Sequence, residues 1–243
     1  MKVSLAITSF NRSGSVITAF EQVLGNDLVD EIVIVDDHSK ASEFAKLWNL
    51  VNNLGNDKIR LERNSTNLKP FKNKYTAVAE CRNDWVILLD SDNIIDNEYI
   101  KTITKLEKED DILYVAETLY RAGKADIGWS YKAFNGLTIT KRNVKRMMNE
   151  PLFEAFLNTG NHFFNRHNYM QVVESTREDP LLSVNDAIYF SYLWLLNRNR
   201  MKVVPGLYYI HQASEDSWWA THEQGCTRSA KVITLKIRRW RVT

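Results

Sequence analysis

The chain has 243 residues, with 32 Lys and Arg against 30 Asp and Glu, a net charge of +2, and 44% hydrophobic residues. This composition excludes a disordered chain, leaves enough length to bury a real core, and gives no bulk electrostatic argument for nucleic-acid binding. Two widely spaced cysteines, Cys81 and Cys226, make neither a zinc pattern nor a disulfide framework, and no apolar run suits a signal peptide or a membrane span, so a cytoplasmic protein is expected.

Val3 to Ile7 is a short β-rich run, ended by polar Thr8-Ser9 and Asn11-Arg12-Ser13-Gly14. Val16 to Leu24 has helical spacing. Ile32 to Val35 is a second apolar run, closed by Asp36-Asp37-His38-Ser39. Phe44 to Leu54 reads as helix and stops at Gly55-Asn56. Ile59 to Glu62 is a third strand, Lys74 to Cys81 a helix, Trp85 to Leu89 a fourth strand, Ile100 to Leu106 a helix and Ile112 to Ala116 a strand. Ala122 to Glu150 is less regular. A long helix follows at Asp186 to Leu196 and a strand at Val203 to Ile210. Uniformly apolar strands separated by helices predict an α/β fold with a mostly parallel sheet covered on both faces.

In such a sheet ligands bind beyond the carboxyl ends of the strands. Three of those ends are polar: Thr8 to Arg12, Asp36 to Ser39, and Asp90-Ser91-Asp92-Asn93. If strand geometry runs on through Asp90 and Asp92, both carboxylates point to one face. Two convergent carboxylates call for a cation, and oxygen ligands suit Mg²⁺ or Mn²⁺. Read alone, the pair is a solvated acidic turn. Its place after four apolar strand residues favours function. Neither a G-x-G-x-x-G nor a G-x-x-x-x-G-K-[ST] cradle is present, so a bound diphosphate would need a metal.

These segments together resemble family 2 glycosyltransferases of the GT-A fold. Val3 to Arg12 is similar to their opening strand and loop, Ile34 to Ser39 to their V-D-D-x-S segment, and Leu88 to Asn93 to their D-x-D motif. The resemblance covers residues 2 to 212 and implies a single GT-A domain over 1–212. Residues 1–118 form its nucleotide-sugar-binding half and 119–212 a smaller mixed acceptor-side half, and 213–243 make a C-terminal loop and basic tail. It implies transfer of a sugar from a nucleotide-sugar, UDP-sugar favoured, to a glycan, lipid-linked or protein acceptor, with inversion. Thr8 and Phe10 fall where the donor's base is held, Arg12 and Ser91 beside them, and Asp37 where a carboxylate meets the base. Asp90 falls at the ribose or metal and Asp92 at the metal, with Mn²⁺ or Mg²⁺ as the ion. Lys74 matches a position often occupied by Arg. Asp186 in Asn185-Asp186-Ala187, at the start of a helix, is the candidate general base; Asp179 is the competitor, but Pro180-Leu181 follows it rather than a clear helix. His211 ends a strand whose histidine can join the metal shell.

Other roles stay open at this level. Asp186 could equally cap its helix. Trp129, Trp218 and Trp219 fit core packing better than sugar stacking, although the polar stretch Ser214 to Ser217 makes an exposed closing loop conceivable. His162 and His167 lie near the acceptor region by neighbourhood only. The basic and apolar tail 231–241 could be a docked helix, a weak membrane-surface contact or the start of another domain. A sugar nucleotidyltransferase or a non-catalytic nucleotide-sugar or glycan-binding module on the same fold are the alternative functions. The first lacks its Gly-rich loop, and intact Asp90, Asp92 and Asp186 argue against the second.

Overall fold

The structure, a computed structural model, describes residues 1–123, 127–212 and 217–240; the stretch Ala213 to Asp216 and the end of the tail at Arg241 lie outside the described residues. The strands run β1 (Val3–Ser9), β2 (Val29–Asp36), β3 (Ile59–Arg63), β4 (Trp85–Asp90), β5 (Asn93–Ile94), β6 (Ile112–Arg121), β7 (Ile127–Ser130), β8 (Thr138–Ile139), β9 (His162–Asn165) and β10 (Arg200–His211). The helices run α1 (Ser13–Phe20), α2 (Ala41–Leu54), α3 (Lys69–Ala79), α4 (Asn97–Thr104), α5 (Val144–Met147), α6 (Phe153–Leu157), α7 (Arg166–Glu174), α8 (Pro180–Ser183), α9 (Asp186–Leu196), α10 (Trp218–Thr221) and α11 (Glu223–Arg238). The strands form one sheet in the order β3-β2-β1-β4-β9-β6-β10-β5, with β7 on β6 and β8 on β10. Strands β1 to β4 are mutually parallel, as are β6 and β10, whereas β9 runs antiparallel between β4 and β6.

The apolar strands are buried on both faces because consecutive side chains feed different cores. Ile7, Ile32, Ile34, Ile87 and Leu89 enter a core closed by α1 and α4. Ala6, Val33, Val35, Val86 and Leu88 enter the other, closed by α3, α7, α9 and α11. Helix α3 begins five residues before the expected Lys74, because Pro70 in its first turn needs no hydrogen bond from its nitrogen. The irregular section 122–150 supplies β7, β8 and α5.

The tail docks. Cys226, Ser229, Ala230, Ile233 and Ile237 make one buried stripe along α11, and Trp240 stacks on Tyr192 at 5.4 Å. Burying Ile233 and Ile237 contributes roughly 1.5–3 kcal/mol each. Among the described residues no helix is long and apolar enough to cross a membrane.

Candidate active site

The pairing of β2, β1 and β4 brings the three polar strand ends together. Ser9 lies opposite Asp36 and Thr8 opposite Asp90. Thr8 Oγ1 donates to Asp90 Oδ1 at 3.3 Å. The loops after β1 and β2 turn sharply at Asn11 and His38, at φ of 53° and 61°. They are tied to each other: Asn11 N donates to Ser39 Oγ at 2.7 Å and Lys40 N to Asn11 Oδ1 at 2.9 Å. Asp36 anchors this crossing through both the amide and the hydroxyl of Ser39. Phe10, just before Asn11, is 41% exposed and so leaves ring surface available for stacking.

Asp37 is buried and already engaged. Its Oδ1 accepts from Leu68 N at 2.7 Å and Asn64 Nδ2 at 2.9 Å, and its Oδ2 from Lys69 N at 2.9 Å. It therefore organises the start of α3. A carboxylate has about four lone-pair sites, so one remains on Oδ2 for a further donor.

The acidic pair converges by a different route from strand alternation. β4 stops at Asp90, and a turn through Ser91 and Asp92 leads into β5. The turn is pinned by Ser91 N donating to Thr8 O at 3.3 Å and Gln212 N to Asp92 O at 2.7 Å. Burial, then the neighbouring Asp90, push the Asp92 carboxyl above its ordinary range, against His211 and Arg12. The Arg12 guanidinium lies 2.6 Å from Asp92 Oδ2. His211 Nδ1 lies 3.9 Å from Asp92 Oδ1 and 2.9 Å from Asn93 Oδ1.

Lys74 joins this group to α9. From the buried face of α3 its ammonium reaches Asp90 Oδ1 at 2.8 Å and Asp186 Oδ2 at 2.6 Å. Burial works against its charge, but Asp186 and Asp90 together outweigh it and hold the lysine protonated well above its ordinary range. Asn185, not Asp186, occupies the N-cap of α9, leaving Asp186 in the first turn facing Lys74. Asp179 does precede a helix, the four-residue α8. It caps that helix, accepting from Leu181 N at 3.1 Å, while Lys74 pairs with Asp186. The expectation of no helix there failed because Pro180 opens one rather than blocking it.

Two further residues are invisible to motif reading. A Cβ built on Gly160 would sit 2.6 Å from Asp90 Oδ2, so with any other residue here the loop or the carboxylate must shift. Thr159 beside it bonds the buried Tyr209 hydroxyl at 3.3 Å. A lone Gly in Asn158-Thr159-Gly160-Asn161, just before a strand, was the available signal. His162 is wholly buried against Phe190, and burial, then Lys74, lower its pKa to about 3. Trp129 and Trp219 are 46% and 47% exposed, contrary to core packing, while Trp218 donates to Val184 O at 2.7 Å and stacks on His222.

Among the described residues no three His, Cys, Asp or Glu side chains gather to cage a metal ion. A Mg²⁺- or Mn²⁺-type ion needs less than that, since it takes one or two carboxylates and fills its shell with water and phosphate oxygens. Asp92, with Asp90 and His211 alongside, offers that donor set, and Arg12 marks the carboxylate as a place for positive charge. The chemistry of these side chains suits a hard divalent ion.

The family model described as glycosyl transferase family 2 matches residues 4–173. Comparison with curated proteins finds no match. Among solved structures, S. aureus TarS 1-349 is similar at TM-score 0.63 and 16% identity, covering 98% of this chain and 69% of that one. The same protein in complex with UDP-GlcNAc aligns at TM-score 0.65 and 18% identity, over 91% of this chain and 61% of that one. GalNAc-T7 with UDP, GalNAc and Mn²⁺ aligns at TM-score 0.64 and 14% identity, over 88% and 44%. At these identities the likeness concerns the fold.

Proposed function

The chain belongs to glycosyl transferase family 2 and has the GT-A fold, and on that premise we propose that it transfers a sugar from a UDP-sugar to an acceptor hydroxyl, with inversion, using Mn²⁺ or Mg²⁺. The observation that carries this reading is the buried Lys74, whose ammonium bridges Asp90 at the end of β4 and Asp186 at the start of α9. One cation thereby links the carboxylates suited to a donor with the carboxylate suited to an acceptor. Neighbouring structures in complex with UDP and with UDP-GlcNAc support the donor class.

In this reading the base of the nucleotide stacks on Phe10, and Asp37 accepts the imide N–H of uracil with the lone pair left on Oδ2. Thr8 and Asp90 meet the ribose. Asp92, with His211, would hold the divalent ion, which neutralises charge on the leaving diphosphate when bound. Arg12 and Lys74 supply two further positive charges along that path. Asp186 removes the acceptor proton as the hydroxyl attacks. Fixing donor and acceptor between β4 and α9 turns the reaction into an effectively unimolecular one.

Calorimetry with UDP, CDP and ADP, each with Mn²⁺ and with EDTA, tests the donor site. UDP should bind tightest, and only with the metal. Equal affinity in EDTA overturns the metal role, and tighter CDP overturns the role of Asp37. Release of UDP from a UDP-sugar dependent on acceptor separates transfer from mere binding.

A further inference from the structure

The net charge of +2 conceals a strong segregation. Segments 141–146 and 228–239 hold nine Lys and Arg and no carboxylate, leaving 23 cations against 30 Asp and Glu in the remainder, a net of −7. The fold sets the two segments side by side. Arg238 donates to Asn149 Oδ1 at 3.2 Å and Met148 O at 3.1 Å, and Lys141 Nζ lies 5.5 Å above the Trp240 ring. Opposite its buried stripe, α11 exposes Arg228, Lys231, Val232, Leu235 and Lys236, and Arg239 at its C-cap continues the same face by the spacing of three and four. Lys145 and Arg146 extend the exposed charge, with Glu150 at one rim and Glu223 at the far end of the helix.

We propose that this face docks the protein on an anionic phospholipid bilayer. Cations alone would suit any polyphosphate, but Leu235 and Val232, 52% and 37% exposed, sit in the middle of them. Apolar side chains ringed by Lys and Arg along one helical face match phosphate headgroups above hydrocarbon. A single-stranded nucleic acid would call for exposed aromatic platforms. The aromatic at this end, Trp240, is stacked on Tyr192 and covered by Lys141.

The face is also coupled to the site. Asn185 Nδ2, one residue before Asp186, donates to Cys226 O in the first turn of α11 at 3.3 Å. The helix that would lie on the bilayer thus starts beneath the residue at which an acceptor would be deprotonated.

Sedimentation of the full chain with vesicles tests this, comparing pure phosphatidylcholine with a mixture containing phosphatidylglycerol. Binding should require the anionic lipid and fall steeply as salt is raised. Lys231→Glu with Lys236→Glu should weaken it at least about ten-fold, and Leu235→Ser several-fold. Lys101→Glu with Lys105→Glu, on α4 and at its C-cap across the sheet, should leave it intact. UDP affinity and melting temperature should match wild type in every variant, excluding a folding effect. Equal binding to both vesicle types, or full binding by the doubly reversed α11 variant, overturns the proposal. So does an indifferent Leu235→Ser with a single-stranded oligonucleotide competing for the same face.

Discussion

Lys74 and Asp186 form a buried ion pair at 2.6 Å, and the same ammonium holds Asp90 at 2.8 Å. One cation on α3 therefore fixes the position of both carboxylates, and a change at any one of the three residues is felt by the other two.

Asp186→Asn keeps the shape but cannot take a proton at neutral pH. Transfer should fall on the order of 10²–10⁴-fold with little change in UDP affinity. Lys74 loses one of two carboxylates, so stability should drop by about 1–3 kcal/mol. Asp179→Asn should be mild, since asparagine caps α8 equally well. A dead Asp179→Asn beside an active Asp186→Asn would reverse the assignment.

Arg12 pairs with Asp92, and Arg12→Gln removes a cation that would compete with a metal ion for that carboxylate. Mn²⁺ affinity without nucleotide should rise by about five-fold or more, corresponding to a pair worth roughly 1 kcal/mol. Mn²⁺ titration followed by electron paramagnetic resonance measures it. A fall in affinity would mean that Arg12 supports the ion rather than standing in for it.

Gly160→Ala drives a methyl to 2.6 Å from Asp90 Oδ2. Either the loop or the carboxylate must move. Denaturant unfolding should show a loss of about 1–3 kcal/mol, typical of overpacking, together with weaker UDP binding. Wild-type values for both would show that the loop 158–161 yields freely.

His162 is neutral in the fold, with a pKa lowered to about 3 by burial and Lys74. The unfolded chain takes up a proton near pH 6.5, so its contribution is fully present above that pH. It is lost as pH falls from 6.5 towards 3, at about 1.4 kcal/mol per pH unit. His162→Leu should flatten the dependence of unfolding free energy on pH across this window by one proton. An unchanged slope would place the titration elsewhere.

The strand ends were legible in the sequence because each is a polar cluster closing a uniformly apolar run, and their parallel pairing follows from the helices between them. Asp90 and Asp92 were legible as a pair, but the reason for their convergence was not. A turn pinned by residues more than eighty positions away brings them together, where local alternation predicts a continued strand. His162–Asn165 is too short to show a period of two, so β9 could not be anticipated. Gly160 matters only through its approach to a carboxylate seventy residues earlier, and the Arg12–Asp92 pair spans eighty positions. Such pairings exist only once the chain has closed on itself. Trp129 illustrates the converse, since its size suggests a core and nothing in its neighbourhood reveals that β7 leaves it half exposed.

The antiparallel β9, inserted between β4 and β6, has a consequence for modularity. A strand encoded after residue 160 completes the hydrogen bonding of two strands encoded before residue 122. Exchanging the later part of the chain as a block would leave both with unpaired edges at the centre of the sheet. Variants that accept a different hydroxyl should therefore arise by remodelling the loops at the strand ends, with β9 retained, and grafted chimeras cut near residue 118 should fail to fold unless the new segment brings a matching strand of its own.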